Sequence, residues 1–305
     1  MDSPINWKDD YYVSKERIVL TANELQIPGI RIFATHKIQN AILPLLPHYH
    51  ESTFEFTLVV KGTMSFYTNR QDYHISGGDV FVSFPDEVHS TNDIPISLNK
   101  QYWIQVDISD PNHFLFLNHD TAKELINDLF QIDRHVIATD NKEISNIVKK
   151  AFDLAKNKGS QLLIANFLSI FLQLLIGFSR ESRYHKTPDI DSAIAYIDAH
   201  ITDELSLDEV ATICNLSTSQ FKQKFRHIIG IPPRNYINQK KVEYSKTLLM
   251  KGYTITDTAM QLSFNDSSYY STVFKKYTME TPTDYIRRHK KDMSNTSSGK
   301  SHYPK

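Results

Sequence analysis

The chain has a single cysteine, Cys214, among its 305 residues. One thiol cannot close an internal disulfide or supply the paired thiolates of a structural zinc site, which fits a reducing compartment. An apolar leader is also missing. The start, MDSPINWKDDYYVSKER, is charged, so no secretory signal is expected and the cytoplasm is the expected location. Long apolar runs are scarce. The most apolar stretch, residues 161–178, is interrupted by Asn166, Ser169 and Gln173 and is short for a bilayer span. It is expected to be a buried or dimer-forming helix, with no membrane partner. Charge of one sign is not in excess either: the formal net charge is −1, which alone points away from nucleic acid.

The balance within the chain is different. Residues 1–204 hold 18 Lys and Arg against 27 Asp and Glu, a balance of −9, while residues 205–305 hold 16 against 8, a balance of +8. A basic back half flags an anionic partner for that half. The length suffices for two domains with separate cores. From about residue 31 to 108 the pattern is β: FEFTLVVKGTMSFYTN, then QDYHISGGDVFVSFPDEVH with a Gly77-Gly78 turn, then KQYWIQVDI. Short strands with regular turn signals predict an antiparallel sandwich or barrel. From Thr121 the pattern becomes helical, with TAKELINDLFQI, NKEISNIVKKAFDLAKNK and the 161–178 stretch. The expected division is 1–120 for a β domain, 121–180 for a helical dimerisation or support region, 181–188 for a polar linker, 189–291 for a helical domain and 292–305 for a disordered tail.

The helical domain contains a repeat. LSLDEVATICNLSTSQFKQKFRHIIGIPPRNYI, residues 205–237, aligns with residues 253–286. Leu207 matches Ile255, Ala211 matches Ala259 and Leu216 matches Phe264, each 48 apart. Past the turn, Phe225 matches Phe274, Pro233 matches Pro282 and Tyr236 matches Tyr285, each 49 apart. A shared apolar skeleton with unshared surface is one supersecondary unit used twice. The unit reads as helix, tight turn, helix. Ser206 is the expected cap of the first copy, boxed with Glu209, and Thr256 that of the second. Asn215 is expected at a left-handed turn position.

In each second helix an aromatic pair faces inward, Phe221 with Phe225 and Tyr270 with Phe274. The outward positions predict DNA contacts of a helix-turn-helix, whose second helix enters the major groove. In the first copy Ser219, Lys222 and Gln223 would meet bases, lysine suiting guanine and glutamine adenine, while Lys224 and Arg226 would meet phosphates. In the second copy Ser267, Ser268, Tyr269, Ser271 and Thr272 line the outer face, with Lys275 and Lys276 toward phosphates. The stretch 235–251 reads as a rigid helix joining the copies, a spacing that suits two successive major-groove segments.

Residues 189–291 resemble the DNA-binding domain of the AraC/XylS family of bacterial transcription regulators. The family signature is carried by ITDTAMQLSFNDSSYYSTVFKKYTMETPTDYIR, residues 255–287. Ser263 and Met279 stand where the family usually has glycine, whereas Gly230 keeps that residue in the first copy. The resemblance implies two helix-turn-helix units on a long linking helix, double-stranded DNA and RNA polymerase as partners, and activation on an effector signal.

In the front half, PHYHESTFEFTLVVKG places His48, His50 and Glu55 before Gly62, and GGDVFVSFPDEVH supplies His89. This resembles the two cupin motifs, H-x-H-x4-E-x6-G and G-x6-P-x3-H. Glu87 stands where many cupin enzymes have glycine. In cupin enzymes the matching residues hold a divalent metal, and three imidazoles with a carboxylate suit such an ion. Effector domains of the AraC/XylS family often keep these residues without a metal, so the expectation is no cofactor and a polar cavity for a small effector, first a sugar. Tyr102 and Trp103 are the expected stacking residues, with Tyr49, Phe56 and Phe66 as further aromatic candidates. The expected whole is an α+β chain of two domains. A cupin-like antiparallel β-barrel followed by helices precedes an all-α domain with two helix-turn-helix units. It would act as a ligand-responsive homodimeric regulator and not as an enzyme. The alternative is a metal-dependent cupin enzyme fused to a DNA-binding domain.

Overall fold

The computed structural model describes residues 5–6, 13–139, 141–180, 188–229 and 231–297. The chain divides into two compact units, one of residues 1–187 with 224–231, the other of residues 188–223 with 232–305. The expected linker 181–188 lies almost wholly outside the described residues.

The N-terminal unit is built on one sheet. Its strands are β1 (Ile5–Asn6), β2 (Arg17–Thr21), β3 (Ile30–Ile38), β4 (His48–Tyr49), β5 (Thr53–Thr68), β6 (Gln71–Ser76), β7 (Asp79–Ser83), β8 (His89–Ser90), β9 (Asn99–Asp107) and β10 (Val136–Ala138). Among them the pairing path runs β1-β4-β8-β5-β9-β3-β2, with β6 and β7 branching from β5 and β10 pairing β7. The path never returns on itself, so the expected closed barrel is instead an open, bent sheet. All pairs are antiparallel except β1 with β4.

The bend lies in β5. Its first half pairs with β7, its second half with β6 and β8, and the ladder to β9 slips between Val59 and Lys61. Gly62 follows the slip at φ 88°, and a Cβ there would lie 2.1 Å from the Leu98 carbonyl oxygen. Only glycine meets both conditions.

Strand alternation gives this sheet two different faces. Phe33, Phe54, Phe56, Leu58, Tyr102, Ile104 and Val106 form one core with the helices that follow. Those helices are α2 (His119–Leu129), α3 (Asn141–Lys156) and α4 (Gln161–Arg180), preceded by the short α1 (Ala22–Leu25) earlier in the chain. The helix α4 is long and apolar enough to cross a membrane by composition, but half of that window is buried, including Leu168, Phe171 and Leu175. Of the two expected roles, buried or dimer-forming, this burial accords with the first. Within the region expected to be purely helical, Val136–Ala138 is a strand. Its apolar residues complete the edge of β7, which the local sequence does not reveal.

The described residues from 188 onward are helical: α5 (Pro188–Ala199), α6 (Leu207–Ile213), α7 (Thr218–Ile229), α8 (Pro233–Met250), α9 (Ile255–Gln261), α10 (Ser267–Thr278) and α11 (Pro282–Ser297). Proline opens α8 and α11, where its missing N–H costs nothing. The expected boundary at residue 292 falls inside α11, and residues 298–305 lie outside the described set. Val242, Leu248 and Leu249 of α8 pack with Tyr270, Phe274 and Tyr285 in one core.

Candidate nucleic-acid interface and effector site

The two helix-turn-helix copies share their bonds as well as their residues. Ser206 caps α6 and Thr254 caps α9, 48 residues apart. Thr254, and not the expected Thr256, is therefore the cap of the second copy, since Thr256 already lies inside α9. Ser206 accepts from the Asp208 amide in place of a reciprocal box with Glu209. At the turn, the Leu216 amide bonds the Ala211 carbonyl at 3.0 Å, and the Phe264 amide bonds the Ala259 carbonyl at the same distance. Asn215 and Ser263 take left-handed backbone at φ 53° and 50°. Ser263 thus adopts the glycine-like conformation itself and bonds the Thr202 carbonyl through Oγ at 3.2 Å.

The second helices begin with their own caps. Ser217 and Gln220 bond reciprocally at α7, and Asp266 accepts from the Tyr269 amide at 2.7 Å at α10. These caps are 49 apart, so the extra residue sits between Phe264 and Asp266. Phe221, Phe225, Tyr270 and Phe274 are fully buried. Ser219, Lys222, Gln223 and Arg226 are exposed on α7, with Lys224 half-buried. On α10, Ser268, Tyr269, Thr272, Lys275 and Lys276 are exposed, and Ser267 and Ser271 are half-buried. Two of these hydroxyls are engaged within the helix. Ser271 Oγ donates to the Ser267 carbonyl at 2.8 Å and Thr272 Oγ1 to the Ser268 carbonyl at 3.0 Å. Such hydroxyls keep acceptor lone pairs but have spent their proton.

In the N-terminal unit, strand register brings the predicted effector residues to the face opposite the helices. Glu55 pairs with Gln105 of β9 and Ser83 of β7, and His48 pairs with His89. The rings of His48, His50 and His89 converge with centroids 4.2 to 5.3 Å apart. Glu55 Oε2 lies 3.2 Å from His50 Nε2 and accepts from Gln105 Nε2 at 2.9 Å. His48 Nδ1 is 2.6 Å from the Leu46 carbonyl and His89 Nδ1 is 3.1 Å from the Glu87 carbonyl. A carbonyl only accepts, so both Nδ1 atoms carry the proton and both Nε2 atoms present lone pairs.

Burial disfavours imidazolium, and with His89 beside it His48 is pushed down to about 3. His89 is lowered by the same burial. For Glu55, burial acts to raise the pKa, but the hydrogen bond and charge of His50 outweigh it, and the carboxyl is held well below its ordinary range. The cluster thus pairs neutral imidazoles at His48 and His89 with one ionised carboxylate. Three imidazole nitrogens and a nearby carboxylate are the donor set that a divalent transition ion takes, so the residues present fit such an ion.

The two expected stacking residues part company. Trp103 lies two positions from Gln105 on β9 and opposite Thr57, on the Glu55 face, with the Arg17 guanidinium 5.1 Å from its ring centroid. Tyr102 points the other way and packs on Phe152 of α3 at 5.4 Å. It is not brought to the site, because neighbouring strand residues face opposite sides. Phe56 joins the same helix-facing core, Phe66 stacks on Phe81 at 4.0 Å, and Tyr49 alternates with the two histidines.

Two family models match this chain: an AraC-like ligand binding domain over residues 45–172 and a helix-turn-helix domain over residues 210–288. The chain belongs to the AraC family. It is a sequence-specific DNA-binding transcription regulator with a ligand-binding N-terminal domain. It is similar to the HTH-type transcriptional activator RhaS of Shigella dysenteriae, 24% identical over 282 residues, covering 85% of this chain and 95% of the relative. RhaS of Salmonella schwarzengrund is 25% identical over 271 residues, covering 84% and 95%. Among solved structures, ToxT from Vibrio cholerae O395 is 13% identical, covering 85% of this chain and 97% of that one with a TM-score of 0.32. The C-terminal domain of yesN from Fusobacterium nucleatum is 30% identical, covering 32% and 96% with a TM-score of 0.30. At those TM-scores neither structure adds to the assignment.

In this AraC-family chain the sheet surface around Glu55 holds polar residues that the sequence motifs do not include. Gln101 and Gln105 share it with Trp103, and His36 and Arg17 follow from the pairing of β9 with β3 and β3 with β2. Ser83 Oγ, His89 Nε2 and Gln101 Oε1 are buried there without a hydrogen-bond partner. The available signal was period two: in NKQYWIQVD, Asn99, Gln101, Trp103 and Gln105 alternate with Lys100, Tyr102, Ile104 and Val106.

Proposed function

We propose that this regulator activates transcription in response to a small polyhydroxylated molecule, first a carbohydrate, bound on the polar face of the N-terminal sheet. The observation that carries the effector reading is the set of buried, unpartnered polar atoms on that face: Ser83 Oγ, His89 Nε2 and Gln101 Oε1. Each such group costs about 1–3 kcal/mol when left unsatisfied. A ligand rich in hydroxyls offers both donors and acceptors to satisfy them, and Trp103 offers a flat apolar surface beside them. Activation is supported by the whole-length relatives, which are named transcriptional activators. For the same reason the domain is read as a sensor and not as an enzyme.

On this reading residues 1–120 bind the effector and 121–180 support or dimerise it. Residues 181–188 link it to the DNA-binding domain, 189–291, and 292–305 form a tail. DNA contacts come from Ser219, Lys222, Gln223, Lys224 and Arg226, and from Ser267, Ser268, Tyr269, Ser271, Thr272, Lys275 and Lys276. The effector must favour one of two arrangements of a homodimer, since a ligand of equal affinity for both shifts nothing. RNA polymerase and cytoplasmic DNA complete the setting. The test is a thermal-shift screen of the full chain against neutral sugars, sugar alcohols and sugar acids. A hit should also change DNA affinity in fluorescence anisotropy. If no polyhydroxylated compound at millimolar concentration moves the melting temperature, the carbohydrate reading fails.

A further inference from the structure

The opposite face of the same sheet carries a row of lysines. Lys37 of β3 stands opposite Lys100 of β9, and Lys100 stands opposite Lys61 of β5. Paired residues share a face, so all three lie on the side of Tyr102, two positions along β9 and packed on Phe152 of α3. Lys149 of α3, one turn before Phe152, lies within electrostatic reach of Lys100. We propose that Lys37, Lys61, Lys100 and Lys149 bind a small phosphate-bearing molecule, at a second ligand site separate from the polar face and independent of its reading.

Like charges directly opposite one another across strands are destabilising. Exposed lysines relieve this by leaning into water or toward a carboxylate, as Lys37 does toward Glu16 at 3.7 Å. Lys100 has less freedom. It is the middle of the row and half-buried, with Nζ 5.7 Å from the centroid of the Tyr102 ring. Burial holds the Lys100 ammonium below its ordinary pKa, and Lys61 and Lys149 push the same way. Asp153 opposes them, but it is already bonded to Lys149. Among the described residues neither Lys61 nor Lys100 makes an ion pair with a carboxylate.

The group therefore holds more positive charge than Asp153 and Glu16 offset. A compact anion with several charges and several acceptor oxygens answers more than one ammonium at once. Lysine binds phosphate in this way, as a point charge with donors that turn to the oxygens. A lone carboxylate brings one charge and leaves most of the row unanswered. A long polyanion is disfavoured by the surroundings, because residues 1–204 carry a balance of −9 and a duplex laid over the row would meet that acidic surface on either side. Three of the four lysines are set by strand register, so their backbone spacing is fixed before the anion arrives.

The test is calorimetric titration of the full chain with inorganic pyrophosphate, in a phosphate-free buffer at fixed ionic strength. One saturable site is expected in this row. Lys100→Gln and Lys61→Gln should each weaken it about tenfold or more, since each removes a charge-assisted bond. Asp153→Asn releases Lys149 and should tighten it. Lys123→Gln changes an exposed lysine of α2 and should leave it unchanged. Melting provides a second readout. Pyrophosphate should raise the melting temperature of the natural chain by mass action and not that of Lys100→Gln, while Lys100→Gln without ligand should melt no lower than the natural chain, because like charges have been separated. Heats that do not saturate overturn the proposal. So does full affinity in both Lys100→Gln and Lys61→Gln, as pyrophosphate held by the DNA-binding half would show. If Lys61→Gln keeps its pyrophosphate affinity but lowers the salt slope of promoter binding, the row belongs to the DNA footprint and the small-ligand site is refuted.

Discussion

Ser268 and Thr272 sit one turn apart on α10, both exposed, and should differ in what they contribute to DNA binding. Thr272 Oγ1 already donates to the Ser268 carbonyl at 3.0 Å. To donate to a base it must give up that bond, so the exchange is close to neutral. The Ser268 hydroxyl lies in the first turn of α10, the part of a reading helix that reaches base edges. A new hydrogen bond there is a net gain of about 1 kcal/mol. Ser268→Ala should therefore weaken binding about fivefold, since about 1.4 kcal/mol is tenfold. Thr272→Val should cost under about 0.5 kcal/mol, or roughly twofold at most. Alanine is the better helix former, so a loss at position 268 cannot be blamed on fraying. The assay is fluorescence anisotropy of the full chain on a promoter fragment found by mapping bound sites, at one fixed salt concentration. A Thr272→Val loss equal to or larger than that of Ser268→Ala would refute the reasoning.

Lys276→Ala should weaken all DNA sequences alike and reduce the slope of log K against log salt by about 1, checked by anisotropy over a salt series. Lys222→Ala and Gln223→Ala should instead relax preference at one or two base pairs, read by selection on randomised sites; an unchanged preferred site in both would mean the α7 register is wrong. Phe274 is fully buried between Tyr270 and Tyr285, with ring centroids at 5.8 and 5.6 Å, so Phe274→Ala should cost about 3–5 kcal/mol in denaturant unfolding. Met279 ends α10 at φ 71°, and Met279→Gly should stabilise the protein by ~0.5–1 kcal/mol, the left-handed strain less the entropy of glycine, seen as a raised melting temperature.

Much of the DNA-binding half is written in short-range pattern. Offsets of 48 and 49 residues locate the turn, the buried aromatic pairs and the opening prolines, because helix faces and turn chemistry depend on neighbours within four positions. The misplaced cap at Thr256 shows the limit of local reading: the repeat offset from Ser206 leads to Thr254, where the structure has it.

The histidines and glutamate of the N-terminal half also stand out as residue types at recognisable spacing. Their partners do not. Tyr102 and Trp103 are adjacent in the chain, and which of them faces Glu55 depends on β9 pairing with β5 fifty positions away in sequence. Gln105 meets Glu55 and Gln101 comes to the same surface through that register, and Ser83 through the pairing of β5 with β7. Alternation tells which strand residues travel together, but the side they take is set by long-range hydrogen bonds between strands, and a slip of one residue would reverse it.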